Sequence, residues 1–217
     1  MSDGPRIPRE QALVLASAVV EWLRSSCQQI EIAGSIRRER ETVGDIEIVC
    51  LPHTKAGLDA VLENMLEAGT IKLAKYRFQN SFRTRWGERL KCFTVGAATV
   101  ELSIGDSDNF GYLLWLRTGP AKGNKFVVTR MKVERSAMRF ERGYGWLVRY
   151  VDGVPKYEHK LSLPDETTVF HALALPEIEP KARSEAAYRA AWVGVQPRYV
   201  LDALKVESDE LKQKRLF

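Results

Sequence analysis

Residues 33–50 read AGSIRRERETVGDIEIVC: a small-residue turn, a knot of arginines, then an apolar run that carries two acids. Side chains alternate along a strand, so Asp45 and Glu47 share one face while Ile46, Ile48 and Cys50 share the other. The apolar face predicts core. Two carboxylates side by side repel, which leaves two readings: a solvated strand face, or a place where something positive sits between them. A hard divalent cation such as Mg²⁺ takes carboxylate oxygens and keeps positions for phosphate oxygens and water. The stretch TVELSI at 99–104 passes the same parity test, with Val100, Leu102 and Ile104 inward and Glu101 on the polar face beside Thr99 and Ser103. A third carboxylate therefore joins the pair if the two strands are neighbours, and three such groups suit two-metal phosphoryl transfer. Upstream, Gly34-Ser35 predicts a turn opening a helix, whose N–H groups and hydroxyl suit a triphosphate. Arg37 and Arg38 in that first turn oppose the helix dipole, a conflict that an anion relieves.

Around this centre the pattern predicts an α+β fold with a mixed β-sheet flanked by helices. Residues 9–26 and 54–69 read as helices, the second with Thr54 as N-cap and Gly69 as its stop. Residues 30–35 read as a short strand that ends in the Gly-Ser turn. Between 71 and 104 the pattern turns to strands at 71–78, 82–86, 89–95 and 99–104, with turns at Trp86-Gly87 and Gly96. A helix over 108–117 stops at Gly119-Pro120, and a second is predicted over 124–140. Residues 145–159 read as a hairpin turning at Asp152-Gly153. Asp165 caps a short helix through Leu173, and 175–184 is an extended, proline-bearing segment. The expected organisation is a unit over 1–106, a smaller lobe over 107–185 and an extension over 186–217 without an assigned role.

The 217 residues are 45% hydrophobic and 28% charged, ordinary for a globular chain. No apolar run reaches membrane-spanning length and the N-terminus lacks a signal core, so the expectation is an intracellular protein, cytoplasmic or nucleoid-associated, neither secreted nor membrane-bound. Cys27, Cys50 and Cys92 lack metal spacing and read as reduced core thiols, and His53, His159 and His171 lack ligand spacing. The formal charge is +5, unevenly spread. Residues 72–91 hold seven basic residues against Glu88, and 117–142 hold eight against Glu134 and Glu141. Such segments either line a channel for a polyanion or form a solvated basic face.

The ordered pattern GSIRRERETVGDIEI resembles the signature of the DNA polymerase beta-like nucleotidyltransferases, specifically polymerase family X: Gly-Ser, an arginine pair, then Gly-Asp-x-Asp. LRTGPAKGNK (116–125) is similar to the family segment that frames the incoming nucleotide, and PKARSE (180–185) to the end of its thumb. The resemblance implies a nucleotidyltransferase palm followed by a thumb lobe, in a reduced form without lyase and fingers domains. It implies that Asp45, Glu47 and Glu101 hold two Mg²⁺, with Mn²⁺ also active, and that Glu101 helps activate the attacking 3′-hydroxyl. Gly34, Ser35, Arg38 and Gly44 would receive the triphosphate, Thr118, Gly119 and Asn124 the sugar and base, and Lys125, Arg117 and Arg130 the DNA. The implied activity is gap-filling transfer from nucleoside triphosphates to a primer end on gapped or nicked duplex DNA, with release of pyrophosphate. Glutamates replace two of the family's three aspartates. Two alternatives stay open: a template-independent transferase acting on RNA, protein or a small molecule, and a nucleic-acid-binding homologue without turnover.

Overall fold

A computed structural model describes residues 6–79, 81–134, 138–140, 147–151 and 154–193. The chain begins with β1 (Ile7–Pro8) and α1 (Arg9–Leu23), whose buried stripe is Ala12, Ala16, Val19, Val20 and Leu23. A single 3₁₀ turn over Arg24–Ser26 leads into β2 (Cys27–Ile32). The Gly-Ser turn opens α2 (Gly34–Arg37), one helical turn, and the chain returns through β3 (Thr42–Val43) to β4 (Ile46–Pro52). Helix α3 (Lys55–Glu67) starts where Thr54 Oγ1 accepts the Gly57 N–H at 3.0 Å and stops at Gly69, whose φ of 71° favours glycine.

The predicted strand over 71–78 divides. Its first half is β5 (Lys72–Leu73) and its second is β6 (Lys75–Phe78), which pairs with β7 (Ser81–Thr84) in a separate two-stranded ribbon. Then come β8 (Leu90–Val95) and β9 (Ala98–Ile104). The fold is α+β, and its central sheet has five strands in the order β2-β4-β9-β8-β5. It is mixed: β4 and β9 run parallel, and the other neighbours are antiparallel. Ile46, Ile48, Cys50, Val100 and Leu102 are fully buried on one face under α1 and α3, as their alternation predicts.

Helix α4 (Phe110–Thr118) packs its Phe110 and Leu114 on Val49 and Ala33, covering the opposite face of β4. The sequence put Asp45 and Glu47 on that face. It is polar only at one end, because β4 is an interior strand and both its faces are covered. Helix α5 (Ala121–Glu134) starts three residues before the predicted Asn124, with the Pro120 carbonyl accepting the Asn124 N–H at 3.0 Å. A proline lacks an N–H to donate, so its place just outside a helix start is favourable rather than disruptive. Residues 138–140, read from sequence as helix, form β10 (Met138–Phe140), drawn into a three-stranded sheet with β11 (Leu147–Val151) and β12 (Val154–Leu161). Those two strands are the predicted hairpin, and its Asp152-Gly153 turn lies outside the described residues.

Asp165 caps α6 (Glu166–Ala172) through the Thr168 N–H at 2.7 Å. Pro180–Ala182 is a 3₁₀ turn rather than extended chain, and α7 (Glu185–Val193) follows. A second core joins these parts around Trp115, Val127, Met131, Leu147, Phe170 and Tyr188. All three cysteines are buried and none is in a disulfide. Among the described residues no helix is long and apolar enough to cross a membrane.

Candidate active site

Parallel pairing of β4 with β9 sets Glu47 directly opposite Glu101. Asp45 stands one residue before β4, so the three carboxylates foreseen in the sequence are brought to one end of one sheet face. Burial and mutual repulsion act on two of them in the same direction. Burial, and then the neighbouring Asp45 charge, push Glu47 up to about 7. Burial and the Glu101 charge push Asp45 above the usual carboxylate range. Half-buried acids held this close carry more negative charge than their surroundings balance, the condition under which a cation is favoured.

A cation is already there. The last turn of α4 delivers Arg117, whose Nη1 donates to Glu101 Oε2 at 2.9 Å and stands 4.0 Å from Glu47 Oε1. Arg85, at the foot of the β6–β7 ribbon, reaches Glu101 Oε1 at 3.4 Å. Arg117 was expected on DNA. It points into the carboxylates because the apolar side chains of α4 that cover β4 fix which way the following turn faces. Among the described residues, no three His, Cys, Asp or Glu side chains are gathered as a ready metal cage. The donors nevertheless suit Mg²⁺ or Mn²⁺ in kind, all being hard oxygens, and the guanidinium between Glu47 and Glu101 marks where positive charge is accommodated.

The Gly-Ser turn lies against this cluster. Gly34 takes φ of 65°, and a Cβ there would run into Glu47 Oε2, so glycine is required both by conformation and by the closeness of the carboxylate. Ala33 N–H donates to the Glu47 carbonyl at 2.8 Å, tying the turn to β4. Ser35 is half-buried in α2, and Gly44 lies in the bend between β3 and β4. Arg38 reaches across to the next element, its Nη1 donating to the Thr118 carbonyl, while its Nε is buried without a partner.

Thr118 and Gly119 therefore meet the Gly-Ser turn directly. Arg37 Nη1 donates to Thr118 Oγ1 at 2.9 Å, and a Cβ on Gly119 would stand 3.1 Å from Arg38 Nη1. Asn124, read as a nucleotide contact, donates through Nδ2 to the Leu116 carbonyl at 2.7 Å and so closes the end of α4, leaving Oδ1 buried without a partner. Lys125 and Arg130 are exposed on α5. A set that sequence reading missed sits on the other flank of Arg37. Glu166 accepts from Arg37 at 2.6 Å and from Arg183 at 2.6 Å, Arg183 being only 2% exposed. Arg183 lies in the PKARSE motif, so its motif was visible while its partners were not. No protein-family model and no curated protein sequence matches the chain.

Proposed function

We propose that this protein is a metal-dependent nucleotidyltransferase of the polymerase family X kind, extending a DNA 3′ end from nucleoside triphosphates. One observation carries the reading: Glu47 and Glu101 paired on adjacent parallel strands with Asp45 beside them, at the mouth of the Gly34-Ser35 turn. Asp45, Glu47 and Glu101 would hold Mg²⁺ or Mn²⁺, which when bound neutralises phosphoryl oxygens. The chain's own residues do the rest. Glu101 takes the proton of the primer 3′-hydroxyl as that oxygen bonds to the α-phosphorus. The bond from the α-phosphorus to its bridging oxygen breaks, and pyrophosphate leaves. Ser35 and Arg38 hold the β- and γ-phosphates, and Arg38 links them to Thr118-Gly119, where the sugar rests. The basic segments hold the DNA.

A second reading, a nucleic-acid-binding protein without turnover, is favoured by Arg117 occupying the space between Glu47 and Glu101. One experiment separates them. The full chain is given a labelled gapped duplex or an unpaired primer, each dNTP or NTP, and Mg²⁺ or Mn²⁺, with extension and pyrophosphate followed together. Extension of the gapped duplex supports the polymerase reading. DNA binding without pyrophosphate release supports the second, and extension confined to the unpaired primer points to a template-independent transferase.

A further inference from the structure

Helices α5 and α7 lie against each other where the expected lobe runs into the C-terminal extension. Tyr188 packs on Gly123, where a Cβ would stand 2.5 Å from its ring, and Trp192 meets Phe126 edge-on at 6.1 Å. Between the helices runs a groove of ≈ 420 Å³. Lys122, Phe126, Thr129 and Arg130 form its α5 wall, and Glu185 and Arg189 its α7 wall. Phe126 carries two guanidiniums, Arg189 at 4.5 Å and Arg130 at 5.7 Å from the ring centroid. With Lys125 on the same lining, the described residues that line the groove include four cations and one carboxylate, and Arg189 engages that carboxylate at 2.7 Å.

Lys122 and Lys125 occupy the opening turns of α5, where the helix dipole disfavours cations. Neither has an acidic partner among the described residues. Cations concentrated in a surface groove beside an aromatic ring match a phosphodiester backbone. We propose that this groove binds the backbone of a DNA strand, specifically the single-stranded template beyond the nucleotide site. Continuity selects this occupant. Helix α5 begins two residues after Gly119, so the groove lies along the same helix about 5–10 Å further on. A strand whose base meets the nucleotide at Thr118-Gly119 runs onto it. Helix α7 thereby acquires a role, supplying Arg189 to a track that α5 alone leaves open on one side.

The choice of template strand rests on the nucleotidyltransferase reading, but the test needs no catalysis. The full chain and its K122Q, R189Q and K122Q/R189Q variants are titrated, without metal or nucleotide, onto two labelled hairpins. One hairpin ends in a 5′ single-stranded overhang and the other is blunt. On the overhang DNA the double variant is expected to bind about 10-fold more weakly, with the slope of log K against log salt reduced by about 1.4, two single-strand phosphates. Blunt DNA affinity stays the same, R189K binds like the unaltered protein, and thermal unfolding of the variants is unchanged. Unaltered overhang affinity in the double variant overturns the proposal. So does an equal loss on both hairpins, which marks a diffuse field, and so does displacement of the overhang DNA by inorganic phosphate or polyglutamate at low millimolar concentration. Failure of the catalytic reading looks different: overhang DNA held through Lys122 and Arg189, with no extension.

Discussion

One carboxylate between two guanidiniums at Glu166, and three carboxylates, Glu47, Glu101 and Asp45, facing Arg117 and Arg85, are opposite solutions built from the same residue types. At Glu166 burial favours the neutral acid, but hydrogen bonds from Arg183 and Arg37 outweigh it and hold the carboxyl below its ordinary range. At Glu47 burial and the Asp45 charge win over Arg117, and the carboxyl rises to about 7. The first cluster is satisfied and joins α2 to the segment that carries α6 and Arg183. The second is left with excess negative charge at the end of a well-packed sheet. Charge that a fold balances internally serves structure, while charge that it leaves over is available to a ligand.

The sharpest way to break the contrast is on activity. Replacing Glu101 by Gln is expected to lower nucleotide transfer about 10³-fold, within the range for removing a positioned base, with little change in unfolding free energy. Replacing Glu166 by Gln should do the reverse. It leaves Arg183 buried without its charge partner and should destabilise by about 3 kcal/mol in urea unfolding, with any loss of activity following the folded fraction. A Glu101 variant that unfolds, or a Glu166 variant of full stability, would erase the distinction between the clusters.

Titration sharpens it further, since the two clusters respond to pH with opposite sign. A carboxyl whose pKa is raised to about 7 lowers the stability of the metal-free protein as pH climbs from about 4.5 to 7. Glu47→Gln should therefore stabilise that protein at pH 8 by on the order of 1–3 kcal/mol, and the gain should vanish by about pH 4. Glu166, with a depressed pKa, contributes stability above the usual carboxylate range that disappears as acid protonates it. Urea melts at pH 8 and pH 4 measure the first effect, and melts carried below pH 4 measure the second. A Glu47→Gln gain that persists undiminished at pH 4 would mean repacking rather than charge.

The smallest expected effect concerns Arg117. If its guanidinium holds the place of a cation, Arg117→Ala should tighten Mn²⁺ binding to the nucleotide-free protein about 10-fold, read from the loss of the free-ion signal in electron paramagnetic resonance. Weaker binding in the variant would make Arg117 a support for the carboxylates instead of their competitor.

Particular residues show how far the sequence reaches. The alternation of Ile46, Ile48 and Cys50 with Asp45 and Glu47 assigned the core face, and Thr54, Gly69 and Asp165 marked helix ends, because these are preferences of a few adjacent residues. Met138 to Phe140 was misread as helix because its strand character comes from pairing with β11 rather than from its own pattern. Asn124 was assigned to a nucleotide because its motif suggested it, and the motif gave no sign that its amide also closes α4.

By itself the sequence determined an α+β chain, the inward faces of β4 and β9, and the candidate acids with their Gly-Ser turn, all of which follow from periodicity and local backbone chemistry. Tertiary structure alone decided that β4 and β9 lie side by side in parallel, that α4 covers the remaining face of β4, and that Arg117 enters the acid cluster while Arg37 and Arg183 close on Glu166. Strand order and the partner of a charge are set by which distant surfaces bury one another, and that free energy belongs to pairs of elements, so neither element's own residues reveal it.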